Sequence, residues 1–202
     1  MEKESIDLKV MWHIDALMHI FAVTIVISVN QEGKINAAPY SLVLPFCSSP
    51  KNPQILLIVN KNWHTAKNIK VTREFVLNYP KAGQLSDIVK TSRFYDSETN
   101  ELDYTQYTTI PSKTVRPPRI AECYQHIECR VNKIIKPSQA QLNFITDVLD
   151  VSLDKELYNI QRTDLIKKAN PPIYLGVDER MHHIFGKLTN ISPVAIDLKV
   201  GK

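Results

Sequence analysis

Glycine is scarce in this chain, five residues in 202, and neither a G-x-G-x-x-G nor a Walker-type loop is present. Dinucleotide-binding βαβ units and P-loop NTPases need such loops to bring backbone against phosphate, so both classes are excluded. G-x-S-x-G and H-E-x-x-H are missing too, which removes the hydrolase elbow and the zincin helix. Cysteine is limited to Cys47, Cys123 and Cys129, an odd number without a Cys-x-x-Cys spacing. A disulfide framework is not expected, and the expected compartment is a reducing cytoplasm. Charge is nearly balanced, 25 Lys and Arg against 21 Asp and Glu, net +4. The basic residues form no runs, so neither nucleic acid nor an anionic membrane is an expected partner. The most apolar stretch, Ala16 to Val29, is too short to cross the ~30 Å hydrocarbon core as a helix. It is rich in β-branched residues and reads as a buried strand. Glu2 and Glu4 stand where a signal peptide would be basic, so export is not expected.

What remains is ordinary globular material: 44% apolar and 23% charged residues, enough for a well-cored single domain over 1–202. Val23 to Val29 reads as a core strand, and Asn30 to Lys34 as a polar turn with Gly33 placed for a hairpin bend. Ile35 to Leu44 continues in extended form, Pro39 marking a sheet edge or a bulge. Pro45 to Pro53 reads as a loop and Gln54 to Val59 as a buried strand. Thr65 to Arg73 suits a short helix opened by a capping-type residue, and Phe75 to Tyr79 is strand again. Ala82 to Val115 is a polar excursion with helical turns expected around Leu85 to Thr91.

Ile120 to Ile135 reads as one long extended segment. Period 2 places Cys123, Gln125, Ile127, Cys129 and Val131 on one face and Glu122, Tyr124, His126, Glu128 and Arg130 on the other. Phe144 to Val151 is a further strand, Glu156 to Lys168 helical, and Ile184 to Lys187 is placed to close the sheet. Five or six strands with short, irregular crossovers argue for a mainly β fold, an antiparallel barrel rather than a doubly wound sheet.

His182-His183 and the trio Glu122, His126 and Glu128 have metal-ligand side chains. Adjacent strand residues point to opposite faces, however, and a polar strand face is ordinarily solvated, so no metal site is expected. Cys123 and Cys129 read as buried structural thiols.

One ordered constellation points to a ligand. Asn36-Ala37-Ala38-Pro39-Tyr40-Ser41 offers small residues and a rigid proline, which let backbone approach the edge of a flat molecule. Cys47-Ser48-Ser49 and His64-Thr65-Ala66-Lys67-Asn68-Ile69 offer hydroxyls, an amide and a lysine at a helix N-terminus, where free N–H groups and the dipole favour an anion such as phosphate. Glu74-Phe75-Val76-Leu77-Asn78 follows.

Taken in order, these segments resemble the flavin reductase-like family, the flavoredoxin-type FMN-binding split barrels. That pattern is an Asn-x-Ala-Pro-x-Ser strand, a Ser-containing loop, Thr-x-x-Asn-Ile opening a short helix, and Glu-Phe-Val-x-Asn. Ile120-Ala121-Glu122-Cys123 and Ile127-Glu128-Cys129-Arg130-Val131 add a weaker echo, and the likeness covers about residues 20 to 150. It implies a split β-barrel of Greek-key type that binds FMN and uses NADH or NADPH to reduce flavin or a small acceptor. The alternatives are an electron carrier served by a redox partner protein, without its own nicotinamide site, and a non-catalytic split-barrel binding protein.

Asn36, Ala37, Ala38, Pro39, Tyr40 and Ser41 would line the flavin ring. Ser48, Ser49, Thr65 and Asn68 would hold its phosphate, with Cys47 beside them. No side chain need act as acid or base. A homodimer is implied, with the excursion as its covering element. Trp63 and His64 replace the Lys and acid common before the Thr, and Thr108-Thr109-Ile110 stands where Gly-x-Thr is usual. The polar face with Tyr124 and His126, or the His182-His183 pair, is the expected seat for the dinucleotide.

Overall fold

In a computed structural model, which describes residues 20–178, 180 and 182–188, with Arg162 and Thr163 described by backbone alone, twelve strands and four α-helices form three sheets. Strand β1 is Phe21–Ala22, β2 Thr24–Val29, β3 Ile35–Tyr40, β4 Val43–Cys47 and β5 Gln54–Asn60. Helix α1, His64–Thr72, leads to β6, Glu74–Tyr79; helix α2, Leu85–Thr91, and a helical turn at Glu101–Tyr104 follow. Then come β7 Thr109–Ile110, β8 Arg119–Ile120, β9 Gln125–Ile135 and β10 Gln141–Leu153. Helices α3, Lys155–Tyr158, and α4, Arg162–Ala169, precede β11, Pro172–Val177, and β12, His183–Lys187. Among the described residues no helix is long and apolar enough to cross a membrane.

The main sheet is antiparallel with strand order β3-β2-β6-β9-β10-β5-β4. Its two edge strands, β3 and β4, are consecutive in the chain and joined only by Ser41 and Leu42. So short a link reaches roughly 10 Å, and Leu42 already accepts a hydrogen bond from the Ile58 amide of β5 at 3.1 Å. Opposite edges of a seven-stranded sheet are therefore held close, and the sheet curls into a barrel that stays open along one seam. This is the split barrel.

Strand β2 is buried along its whole length, which explains an apolar run that does not alternate. Val26 faces a barrel interior with Leu57, Val59, Phe75, Leu77, Phe144 and the α1 residues Ala66 and Ile69. Ile25 and Ile27 face a second core with Ala37, Ile88, Leu102, Tyr107 and Ile120. The excursion over residues 82–115 thus covers the outer face of β2 and β3. It also blunts an exposed edge: Glu101 accepts the Ala37 N–H at 2.8 Å. Since that amide points away from β2, so does the position of Pro39, two residues on, and the proline deprives the ladder of no donor. The turn to β3 needs Gly33 at φ 88, where a side chain would be strained.

Several expectations are corrected. The extended run over 35–44 is broken at Ser41–Leu42, and the segment expected as loop from Pro45 begins as strand, since β4 continues to Cys47. Thr65 is not the helix cap; Trp63 is, and it makes no side-chain cap bond. Residues 121–124 turn instead of extending, so the long strand starts at Gln125. Its polar side is largely buried around His126 and Glu128, although Arg130 stays exposed, because the 111–118 segment wraps it. Glu128 is fully enclosed, accepting from the Lys113 amide (2.8 Å) and from the Thr114 amide (2.7 Å) and hydroxyl (2.6 Å), with Arg119 3.8 Å away. The helix expected over 156–168 is two helices broken at 159–161. Strand β12 closes a separate sheet, β1-β11-β12, not the barrel, and the strands outnumber the five or six expected. Residues 16–19 of the first apolar stretch lie outside the described residues.

Candidate functional site

Helix α1 plugs the barrel. Its buried face is Thr65, Ala66 and Ile69, the spacing that one side of a helix presents. It ends at Arg73, in the left-handed region at φ 64, whose N–H returns to the Ile69 carbonyl at 2.9 Å. Its start is open: no side chain caps the first turn, and no acidic residue lies in it. The unbonded amides there carry the positive end of the helix dipole.

That open turn faces the β2–β3 hairpin, and between them lies a cleft of about 360 Å³. His64, Lys67 and Asn68 form one wall, Asn30, Lys34, Ile35 and Asn36 the other, and Ser97, Glu98 and Thr99 of the excursion close the rim. A smaller hollow of about 190 Å³ continues past Lys67 and Asn68 to Gln31 and Val71. The walls are pinned to each other. Asn36 Nδ2 donates to Thr65 Oγ1 at 2.9 Å, and Asn68 Nδ2 to Ser28 Oγ at 3.3 Å. Lys34 is neutralised by Glu98 at 2.7 Å. Among the described residues Lys67 has no carboxylate partner, so the cleft presents a positive wall.

The structure sorts the expected binding residues. Asn36 and Asn68 line the cleft, and Thr65 lies directly behind Asn36. Ala37 faces the second core, while Ala38 and Tyr40 face the barrel interior. The Tyr40 ring meets Trp63 at 5.9 Å and 59°. Burial pushes the Tyr40 phenol well up; the Thr65 hydroxyl tempers that rise without being placed to satisfy the Tyr40 oxygen. Pro39 is half-buried on the edge strand, and Ser41 is the corner where the two barrel edges approach. Cys47 is half-buried at the end of β4, and Ser48 and Ser49 are exposed on the following turn, outside the lining of the cleft. Lys67 and His64 belong to the His64–Ile69 segment that the sequence singles out. Asn30, Lys34 and Glu98 did not, and only long-range packing brings them in.

The other candidates are occupied elsewhere. His126 contacts the Ile120 carbonyl at 2.7 Å and Ser152 at 3.1 Å, and burial first of all lowers its pKa. Tyr124 is buried as well, so the Tyr124–His126 face offers no seat for a dinucleotide. Glu122 is taken by Thr108 (2.7 Å), His182 by Asp178 (3.0 Å) and His183 by Tyr174 (3.1 Å). Cys123 and Cys129 are free, buried thiols; burial raises both, Cys129 to about 12, so neither is a ready thiolate.

The fold is an antiparallel split barrel with a polar cleft beside its helical plug. The family model described as "Flavin reductase like domain" matches residues 18–165, and the chain belongs to that family, with its flavin-related redox role. A Methanothermobacter thermautotrophicus protein is 30% identical over 166 residues, 79% of this chain and 76% of that one. Among solved structures, nitrilotriacetate monooxygenase component B from Bacillus cereus superposes with a TM-score of 0.80 at 22% identity, covering 96% of this chain and 99% of that one. Flavoredoxin from Methanosarcina acetivorans gives 0.76 at 22% identity, covering 100% and 98%. At these identities the likeness to the two structures is one of fold.

Proposed function

We propose that this chain binds FMN between β3 and α1 and uses NADH or NADPH to reduce flavin or a small acceptor. The observation that carries the reading is the uncapped start of α1, with Lys67 lacking a carboxylate partner among the described residues, set against an edge strand of small residues. FMN is a flat ring ending in a phosphate of nearly two negative charges. Lys67, His64, Asn68 and the first-turn amides of α1 suit the phosphate. Asn36–Ser41 run along one edge of the barrel's seam and Cys47 ends the other, so a ring laid along the seam would meet the half-buried Ala38, Pro39 and Ser41 on one side and Cys47 on the other. Ser48 and Ser49 add hydroxyls at that end. The flavin supplies the redox chemistry when bound. The protein's part is to hold the ring edge-on, keep one face open to a second flat molecule and exclude competing anions.

A second copy of the chain is proposed to cover the remaining ring edge. Phe46 and Trp63, each about half exposed, are the apolar area such a partner would meet. Free thiols at all three cysteines support a reducing cytoplasm as the setting.

Reduction of the protein-bound flavin under anaerobic conditions tests this reading. Addition of NADH or NADPH is expected to bleach the visible flavin band within the mixing time, with steady turnover when free FMN is the acceptor. Bleaching by dithionite but by neither nucleotide would make the protein an electron carrier served by another reductase.

A further inference from the structure

Folding gathers Lys61, Lys67, Lys70, Arg73, Lys133 and Lys136, which form no run in the sequence, at one end of the barrel. Lys61 stands on the turn between β5 and α1, its amide donating to the Ala140 carbonyl of the β9–β10 hairpin at 2.8 Å. Lys67 and Lys70 lie on the exposed side of α1. Arg73 ends that helix, and its guanidinium donates to the Val131 and Asn132 carbonyls of β9 at 3.3 and 3.2 Å. Lys133 and Lys136 follow, on β9 and on the hairpin. The five lysines are exposed and Arg73 is half-buried.

Among the described residues none of these six has a carboxylate at ion-pair distance. Elsewhere Lys81 pairs with Asp154, Lys113 with Asp150, and Arg116 and Arg130 with Glu74. The carboxylates that approach the basic end are mostly engaged: Glu98 by Lys34 at 2.7 Å, Asp147 by Gln54 at 2.7 Å and Asn132 at 3.1 Å. Glu32, on the β2–β3 turn, faces Asn30 at 3.4 Å. Cations left this close repel one another, and their summed field attracts an anionic surface before contact. Apolar side chains stand among them. Val71 follows Lys70 on α1 and is 54% exposed, and Ile135 precedes Lys136 and is 38% exposed. A protein face can bury these while its carboxylates meet the lysines around them, whereas a phosphate backbone gains nothing from covering them.

We propose that this end of the barrel docks an acidic face of another protein, with Val71 and Ile135 at the contact and the lysines steering the approach. The proposal goes beyond the flavin reading and stands without it. Lys67 belongs both to this end and to the cleft, so a partner seated here adjoins the candidate site.

Fluorescence anisotropy tests it with two labelled probes, a peptide of glutamates punctuated by leucines and a DNA duplex, each titrated with the purified full chain at low and at physiological salt. One variant combines Lys70→Glu, Lys133→Glu and Lys136→Glu. Its control, of the same net charge, combines Lys155→Glu, Lys167→Glu and Lys168→Glu on α3 and α4, away from the basic end. All six lysines are exposed, so both variants should fold, and circular dichroism checks that they do. The wild type is expected to bind the peptide more tightly than the duplex, with affinity falling as salt rises. The first variant should lose tenfold or more in affinity for the peptide and the control should stay within twofold of wild type. No peptide binding by the wild type, or equal losses in the two variants, would overturn the proposal. Tighter binding of the duplex, lost in the first variant alone, would also overturn it and give the face to nucleic acid.

Discussion

The Asn36 side-chain amide donates to the Thr65 hydroxyl at 2.9 Å, out of solvent, and so ties the edge strand β3 to the first turn of α1. Together with the Asn68–Ser28 bond it pins the two walls of the cleft. Thr65→Val would leave a buried amide N–H unpaired, a cost of about 1–3 kcal/mol. Urea unfolding should show that loss, and FMN affinity should fall with it as Asn36 turns. Thr65→Ser, which keeps the acceptor, should restore most of both.

Glu101 accepts the outward N–H of Ala37 at 2.8 Å from a buried position. Burial raises its pKa, opposed by hydrogen bonds from the Ala37 amide and its own amide. A carboxyl raised in the folded state favours folding at low pH, and that contribution is lost as pH rises through the folded value. At neutral pH the charge is therefore a burden, whereas the acceptor is needed. Glu101→Gln should match or exceed wild-type stability at pH 7, and Glu101→Ala should lose about 1–3 kcal/mol by leaving Ala37 unpaired on a sheet edge. Chemical denaturation of the two variants side by side measures the difference.

Glu128 has the opposite sign. Burial would raise its pKa, but the Thr114 hydroxyl, the Lys113 and Thr114 amides and the Arg119 guanidinium together hold it below 4.5. Its contribution is present above the unfolded pKa and lost as pH falls through the folded one. Wild-type stability should drop as the solution is acidified below about pH 4.5, the usual carboxylate region. Glu128→Gln sets an amide against those donors and leaves Arg119 with reduced compensation. It should cost about 1–3 kcal/mol at pH 7 and flatten the acid slope.

Local chemistry made much of the fold legible. The Asn30–Lys34 turn, the edge position of Pro39 and the helix at Leu85–Thr91 follow from glycine, proline and helical spacing, and the structure has them. What the sequence hid was non-local. Ser41 and Leu42 look like the middle of one strand, because nothing in their side chains says that the chain there crosses from one sheet edge to the other. Glu128 looked solvated because the loop that encloses it lies ahead of it in the chain. The site divides the same way: Asn36, Thr65, Lys67 and Asn68 are read from two short segments, while Lys34 and Glu98 join them only through folding.

Titration of the purified protein with FMN, wild type against Lys67→Met, tests the placement of the cofactor most directly. Among the described residues Lys67 has no carboxylate partner, and its loss should remove a hydrogen bond to a charged group, about 1.5–3 kcal/mol. The account predicts one FMN per chain in the wild type and affinity lower by tenfold or more in the variant, with an unaltered circular dichroism spectrum. Equal affinity in the two proteins, or no FMN binding by a folded wild type, would contradict it.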